Sequence, residues 1–384
     1  MCTTAAPDRP TTTRQMTSVN TVETSVPVRP EPPRSTPLRA PLRRRRWWPV
    51  PAGVAVAASV GVGAAVVPLP LLAISPGSVV DVAGLVSVEH PEVVDGNGRF
   101  YLTTVRLSPV TVLGAVQAWI RPEVDVVGRD AVMPAGVDAD GLRQLNLDQM
   151  SASKRQALGV AFEALGYDAV SGDGAEVVDL SPEGPASQVL RPGDLIVGLA
   201  GTAVTSHHDV LRLLAEQRPG RRVQLDIHPA DGPAPRTVEV VLAHDREAPD
   251  RAQLGAILRT RRPRFDFPVD VDIHTDRIGG SSAGLAFALE ALDALTEGDL
   301  TRGRRVAATG TIELDGSVGE VGGVAQKVAA LEHHRIDVLL VPEPELDRAK
   351  ALAGPGVRVE PVNDLGDALR VLAEGGGVTP PRRW

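Results

Sequence analysis

The hydrophobic pattern changes character several times along the chain. Residues 1–46 show almost no apolar periodicity and are rich in Pro, Thr, Ser and Arg. Such a segment buries too little surface to offset its ordering entropy, so it reads as a disordered tail. From Val50 to Ile74 run 25 residues without a charge, and at 1.5 Å per residue a helix of that length crosses a hydrocarbon core of about 30 Å. Shorter elements follow. Val79–Val88 is Val-rich, Asp95-Gly96-Asn97-Gly98 is a turn signal, and Phe100–Leu107 has strand composition. Pro109–Ile120 has apolar residues at helical spacing, and residues 131–150 read as an irregular linker. Residues 153–243 carry short strands, Gly/Pro turns and one helix, Ser206–Gln217.

Residues 245–373 alternate strand and helix. Strands are predicted over Val269–Ile273, Arg305–Glu313 and Val338–Val341, and helices over Ser282–Leu295, Val324–His334 and Asp364–Leu372. That alternation predicts an α/β domain. Residues 374–384 read as a flexible tail.

Composition adds charge asymmetry to this picture. The net charge is −8, yet residues 1–46 hold nine Arg against Asp8, Glu23 and Glu31, which leaves −14 for the remainder. An acidic folded part lacks the basic face of a nucleic-acid binder. Arg43–Arg46 precede Trp47-Trp48 and the uncharged stretch, an order that places the N-terminus in the cytoplasm. The expectation is a transmembrane helix over 47–74, contacting the lipid bilayer and leaving the catalytic region extracytoplasmic. Pro68 and Pro70 would end or kink that helix. A cleaved signal peptide and a buried core helix are the alternatives; the long charged leader and the uniform apolarity favour the anchor. A single cysteine, Cys2, excludes an intramolecular disulfide.

Two places could carry chemistry. Gly279-Gly280-Ser281-Ser282-Ala283-Gly284 lies between a predicted strand and a predicted apolar helix. A Ser there sits beside free N–H groups and the positive end of the helix dipole, which favour an oxyanion, although Ser is also an ordinary helix cap. Lys327 follows Gly322-Gly323-Val324-Ala325-Gln326 and is one of three lysines in a chain with 37 arginines. A desolvated Lys can lose its proton and act as a base, which Arg cannot; a solvated surface lysine is the alternative.

Taken together, Ser282-Ala283-Gly284, Thr309-Gly310-Thr311-Ile312, Gly316 to Gly323 and Lys327 resemble the proteolytic domain of the Lon (S16) serine protease family. The resemblance implies an α/β (α+β) fold of the ribosomal S5 domain 2-like type, with Ser282 as nucleophile and Lys327 as general base. Thr309 would support the lysine, and Gly280 and Ser281 would shape the oxyanion loop. The family's Asp-Gly-Pro-Ser becomes Gly279-Gly280-Ser281-Ser282 here, so a carboxylate and a rigid proline are lost beside the nucleophile. No Gly-x-x-x-x-Gly-Lys-Ser/Thr phosphate loop occurs in the sequence. The resemblance therefore implies proteolysis without ATP, cofactor or metal, acting on unfolded or flexible chains, and Lon-type domains often form homo-oligomeric rings. Residues 84–120 resemble the opening strands and first helix of the same domain. That predicts one protease domain built from 79–130 and 245–373, with 153–243 inserted.

The inserted segment, through Ser181-Pro182-Glu183-Gly184-Pro185-Ala186 and Arg191-Pro192-Gly193-Asp194-Leu195-Ile196, resembles a PDZ domain. Such domains bind an extended peptide by adding it as a strand. Leu165-Gly166-Tyr167 is a candidate carboxylate-binding loop, with a simple turn as the equal alternative. Two other functions stay open. Gly280-Ser281-Ser282-Ala283-Gly284 also fits the Gly-x-Ser-x-Gly elbow of an α/β-hydrolase esterase, with His333 and His334 as partners. The chain could also be a PDZ scaffold on an inactive protease fold.

Overall fold

The structure is a computed structural model. It describes residues 67–374 apart from 89–97, 134–135, 233, 246–247 and 277, together with 54–56, 58–59 and 62–63. The chain divides after Val56, and the architecture below concerns Ala57 onward. The tails 1–46 and 375–384 lie outside the described residues.

One six-stranded mixed sheet organises the larger part of the fold. Its strands are β1 (Pro68–Asp81), β2 (Arg99–Thr111), β3 (Asp125–Gly128), β9 (Arg305–Ala308), β10 (Val338–Pro342) and β11 (Arg358–Val362). They lie in the order β11-β10-β9-β2-β1-β3. β1 pairs antiparallel with β2 and β3, whereas β2, β9, β10 and β11 run parallel. The join falls between β2 and β9, where Phe100 pairs with Val306. Strands from both flanks of the 153–243 segment thus complete a single sheet.

Alternation along the central strands buries both faces. Val306, Ala308, Val338 and Leu340 point into the larger core with helices α2 (Ala139–Ala164), α4 (Gly284–Ala294) and α7 (Leu365–Ala373). Ala307, Leu339 and Val341 point the other way, against α5 (Val324–Ala330) and α6 (Leu346–Leu352). Near-continuous apolar runs such as Val338–Val341 are what a two-sided sheet requires.

Two sequence expectations need correction. Residues 68–74, assigned to the membrane helix, form the first half of β1. Pro68 and Pro70 lack N–H donors, and each disfavours the helical region for the residue before it, so the chain leaves helical geometry there. Among the described residues no helix is long and apolar enough to cross a membrane; most of the 47–67 stretch lies outside the described residues. Residues 139–150, expected as irregular linker, are the start of the 26-residue α2. Asp138 caps it by accepting from the Gly141 N–H at 2.8 Å. Its first half is largely exposed, so the apolar periodicity that identifies a helix emerges only from Met150 through Phe162.

A second sheet lies between the two flanks. Strands β4 (Ala175–Leu180), β5 (Leu195–Leu199), β6 (Arg222–His228), β7 (Arg236–Val241) and β8 (Ala256–Thr260) take the order β7-β6-β5-β4-β8. Helix α3 (His207–Ala215) closes its core through Val210, Leu213 and Leu214. The 153–164 stretch packs instead into the larger core, and residues 256–260, beyond the expected boundary at 243, supply an edge strand. The larger core depends on its aromatic filling: Phe100→Ala empties a fully buried site and should lower the unfolding free energy by about 3–5 kcal/mol in urea titrations.

Candidate active site

The site forms beyond the C-terminal ends of the parallel strands, where β9 and the N-terminus of α4 meet. Residues Gly279–Ala283 lead into α4, and α2 supports them from below. The Gly280 N–H donates to the Asn146 carbonyl at 2.8 Å, and Ser153 Oγ donates to the Ser281 carbonyl at 3.1 Å. Contact is close enough that a Cβ on Gly279 would fall 2.8 Å from Asn146 Cβ, and one on Gly284 2.9 Å from the Ile312 amide nitrogen. Small residues are needed here for backbone approach. The Ser282 carbonyl accepts from the Gly310 N–H at 3.0 Å, and the Leu285 N–H returns a bond to the Gly310 carbonyl at 3.1 Å. Ser282 is thereby tied to the residue after Thr309. Among the described residues, the Ser282 and Ala283 N–H groups donate to no other group.

Lys327 arrives from the opposite face of the sheet. Gly323 begins α5 with a left-handed φ of 72°, and a Cβ there would sit 2.8 Å from Val105 Cγ1. One turn later Lys327 is 3% exposed. Its Nζ donates to Thr309 Oγ1 at 2.9 Å, and Thr309 is itself buried. No carboxylate pairs with Lys327 among the described residues. Burial pushes its pKa down to about 8, and the more distant Glu345 carboxylate opposes that shift.

Ser281, Ser282 and Lys327 line one cavity of about 630 Å³, whose walls include Leu102, Val105 and Met150. Gly280 and Gly323 form its rim, and Thr309 stands behind Lys327. Among the described residues, no histidine lines this cavity. His333 and His334 are exposed after α5, and His274 pairs with Asp272 at 3.2 Å on the surface. The geometry therefore does not assemble a Ser-His arrangement. Asn146 and Ser153, which brace the serine loop, were hidden from sequence reading because their helix was not recognised.

Leu165-Gly166-Tyr167 is placed elsewhere. Gly166, at φ 93°, ends α2 as a left-handed cap, with the Tyr167 N–H donating to the Phe162 carbonyl at 3.0 Å. Tyr167 packs edge-on against Phe162, whose ring also stacks on Phe267 in the catalytic core. One edge of the second sheet is β8, flanked by α3, and the other is β7. β8 begins after Leu254-Gly255, where Gly255 has φ 71° and its carbonyl accepts from Ser181 N–H at 2.9 Å. A glycine between apolar residues just ahead of Ile257-Leu258 was the available signal.

Comparison with known proteins agrees with these parts. Residues 267–371 match the Lon protease (S16) C-terminal proteolytic domain, and residues 156–240 match the PDZ domain. A Lon protease from Desulfosudis oleivorans is 28% identical over 123 residues, covering 31% of this chain and 15% of that protein. The chain thus spans only a small part of its curated relative. Among solved structures, the PDZ domain of an SdrC-like protein from Listeria monocytogenes is 24% identical, covering 22% of this chain and 87% of that one, at a TM-score of 0.21. Its counterpart from Listeria innocua is 22% identical, covers 22% and 93%, and has a TM-score of 0.20. The chain carries a Lon-type proteolytic domain of the serine peptidase class and, with it, a PDZ domain.

The buried amine leaves a signature in stability. Between pH 8 and 10.5 the folded amine is uncharged while the unfolded one, with its ordinary value of 10.5, still binds a proton. The unfolded state then holds more protons, so stability rises with pH across that window, by about 3 kcal/mol. Chemical denaturation at stepped pH should show this slope in the native chain and not in Lys327→Met.

Proposed function

We propose that this chain is a serine endopeptidase in which Ser282 attacks the peptide carbonyl and Lys327 is the general base. The observation carrying this reading is a buried lysine, free of carboxylate partners among the described residues, in the same cavity as Ser282. The uncharged Nζ takes the Ser282 hydroxyl proton as Oγ bonds to the carbonyl carbon, and then delivers it to the departing amine. Thr309 Oγ1 accepts from Nζ and so fixes its direction. The N–H groups of Ser282 and Ala283, at the N-terminus of α4, are the oxyanion donors. Water then hydrolyses the acyl-enzyme, with Lys327 again accepting a proton. Among the described residues it is Lys327 and no histidine that shares the cavity with Ser282, which favours the lysine base over the esterase, and the depressed lysine disfavours the inactive scaffold.

The PDZ domain captures flexible polypeptide in this reading. The capture edge is β8, where Ile257 is exposed, beside α3, where Leu211 is exposed; an extended peptide added there gains main-chain hydrogen bonds. No phosphate loop occurs in the sequence, so the substrates are chains already unfolded, cleaved without an ATPase in this chain. With β1 beginning at Pro68, residues 47–67 remain uncharged. They are long enough to cross the apolar layer at about 1.5 Å per residue, and Val54, Val56 and Val62 are exposed. We place them in the membrane, with Arg43–Arg46 on the cytoplasmic side and the protease outside.

Three outcomes test the reading. Labelling of Ser282 by a fluorophosphonate should rise with pH through about 8, and Lys327→Arg should slow it by about 100-fold or more. Equal rates in the arginine variant would exclude the base. Ser281→Ala should keep the label. Ile257→Asp should raise KM for a labelled unfolded protein about tenfold without changing kcat for a short peptide; an unchanged KM removes β8 as the capture edge.

A further inference from the structure

Helix α1 (Val112–Ile120), which follows β2 directly, is unlike the other helices of the fold. None of its nine residues is charged, and its apolar side chains face outward. Trp119 is 89% exposed and Ile120 71%, and Val112, Leu113 and Val116 are exposed as well; only Ala118 is buried. By contrast, α3, α6 and α7 all carry charged residues. An uncharged surface helix ending in Trp-Ile costs solubility unless something apolar covers it.

We infer that α1 lies in the interfacial layer of the lipid bilayer, as a second membrane contact beside the anchor; the inference rests on the anchored reading above. Its position argues for lipid. Pro68, the first residue of β1 after the uncharged stretch 47–67, pairs with Thr111. Thr111 is the N-cap of α1, accepting from the Gly114 N–H at 3.1 Å. The helix therefore starts in register with the point where the chain emerges from the uncharged segment. At about 1.5 Å per residue its length is near 14 Å, short enough to lie along the plane of the interface beside that point. Trp, Leu, Ile and Val toward the acyl chains, with exposed Arg121 immediately after them, is a composition suited to the interface. β2 carries cavity-lining residues Leu102, Thr103, Thr104, Val105 and Leu107 just upstream of Thr111, so a docked α1 holds the active-site cavity close to the membrane surface.

The test uses the full chain with Trp47→Phe, Trp48→Phe and Trp384→Phe, leaving Trp119 as its one tryptophan. It is reconstituted in phosphatidylcholine–phosphatidylglycerol vesicles with brominated acyl chains. Trp119 should lose most of its emission to the bromine and resist aqueous iodide. The difference between the native chain and Trp119→Phe gives the same quantity without the triple substitution. If the protein floats with the vesicles yet Trp119 is quenched by iodide and not by bromine, the inference fails while the anchor stands. Protection from both quenchers, with cross-linking to dimers, would assign the helix face to a second copy and also overturn it. A chain that does not float overturns the anchor and this inference together.

Discussion

A lysine amine almost sealed from water, with a threonine hydroxyl as its hydrogen-bond partner, is the constraint around which the catalytic region is organised. Desolvation of a charged amine is costly unless the group sheds its proton or finds a counter-charge. Here no counter-charge pairs with it among the described residues, and the depressed pKa follows. Keeping such a group buried requires walls on several sides. The sheet supplies one through Thr309 at the end of β9, and Gly323 supplies another by bringing the start of α5 against Val105. Because α5 and α4 pack on opposite faces of the sheet, only beyond the strand ends can Lys327 and Ser282 share a cavity. The carboxyl ends of parallel strands are where such crevices form in α/β folds.

The PDZ domain is bound into this arrangement through its connections. β8 is its edge strand, and the chain continues from there through residues 264–265 and 271–273 to the serine loop. At the head of α3, the His207 N–H donates to Thr260 Oγ1 at 3.1 Å, and its Nδ1 lies 2.7 Å from the same oxygen. Beside it, His208 stacks on His207 and lies 4.0 Å from Glu163 of α2. Burial pushes His208 down to about 3 and Glu163 up to about 7, so at neutral pH this junction is held by packing more than by charge. Edge strand β8, helix α3 and helix α2 thus meet in one buried cluster.

Legibility varied with how local the signal was. Ser282 and Lys327 could be singled out because glycine turns and an isolated lysine mark their surroundings within a few residues, whereas Thr309 was named only through the family resemblance. The central strands were legible because buried β-branched and leucine runs leave little alternative. The first half of α2 was not, since a helix whose face is mostly wet shows no strong period. Leu165-Gly166-Tyr167 stayed open between loop and turn for a related reason: a glycine among apolar residues marks a left-handed helix cap as readily as a binding loop, and the sequence does not say which. The end of the uncharged stretch was misplaced because Leu69 to Ile74 is equally apolar as helix or as strand; two prolines and the pairing with β2 decided it.

By itself the sequence singled out Ser282 and Lys327 as candidates and determined the α/β character of the 265–373 region and the presence of a β-rich module before it. Each of these is written in the periodicity or spacing of neighbouring residues. The tertiary structure alone decided that Phe100 pairs with Val306, that residues 256–260 close the edge of the second sheet, and that α1 begins opposite Pro68. Those pairings join segments far apart in the chain. A side chain's hydrophobicity states that it needs a partner, but the choice among many apolar partners is made only when the whole core packs at once.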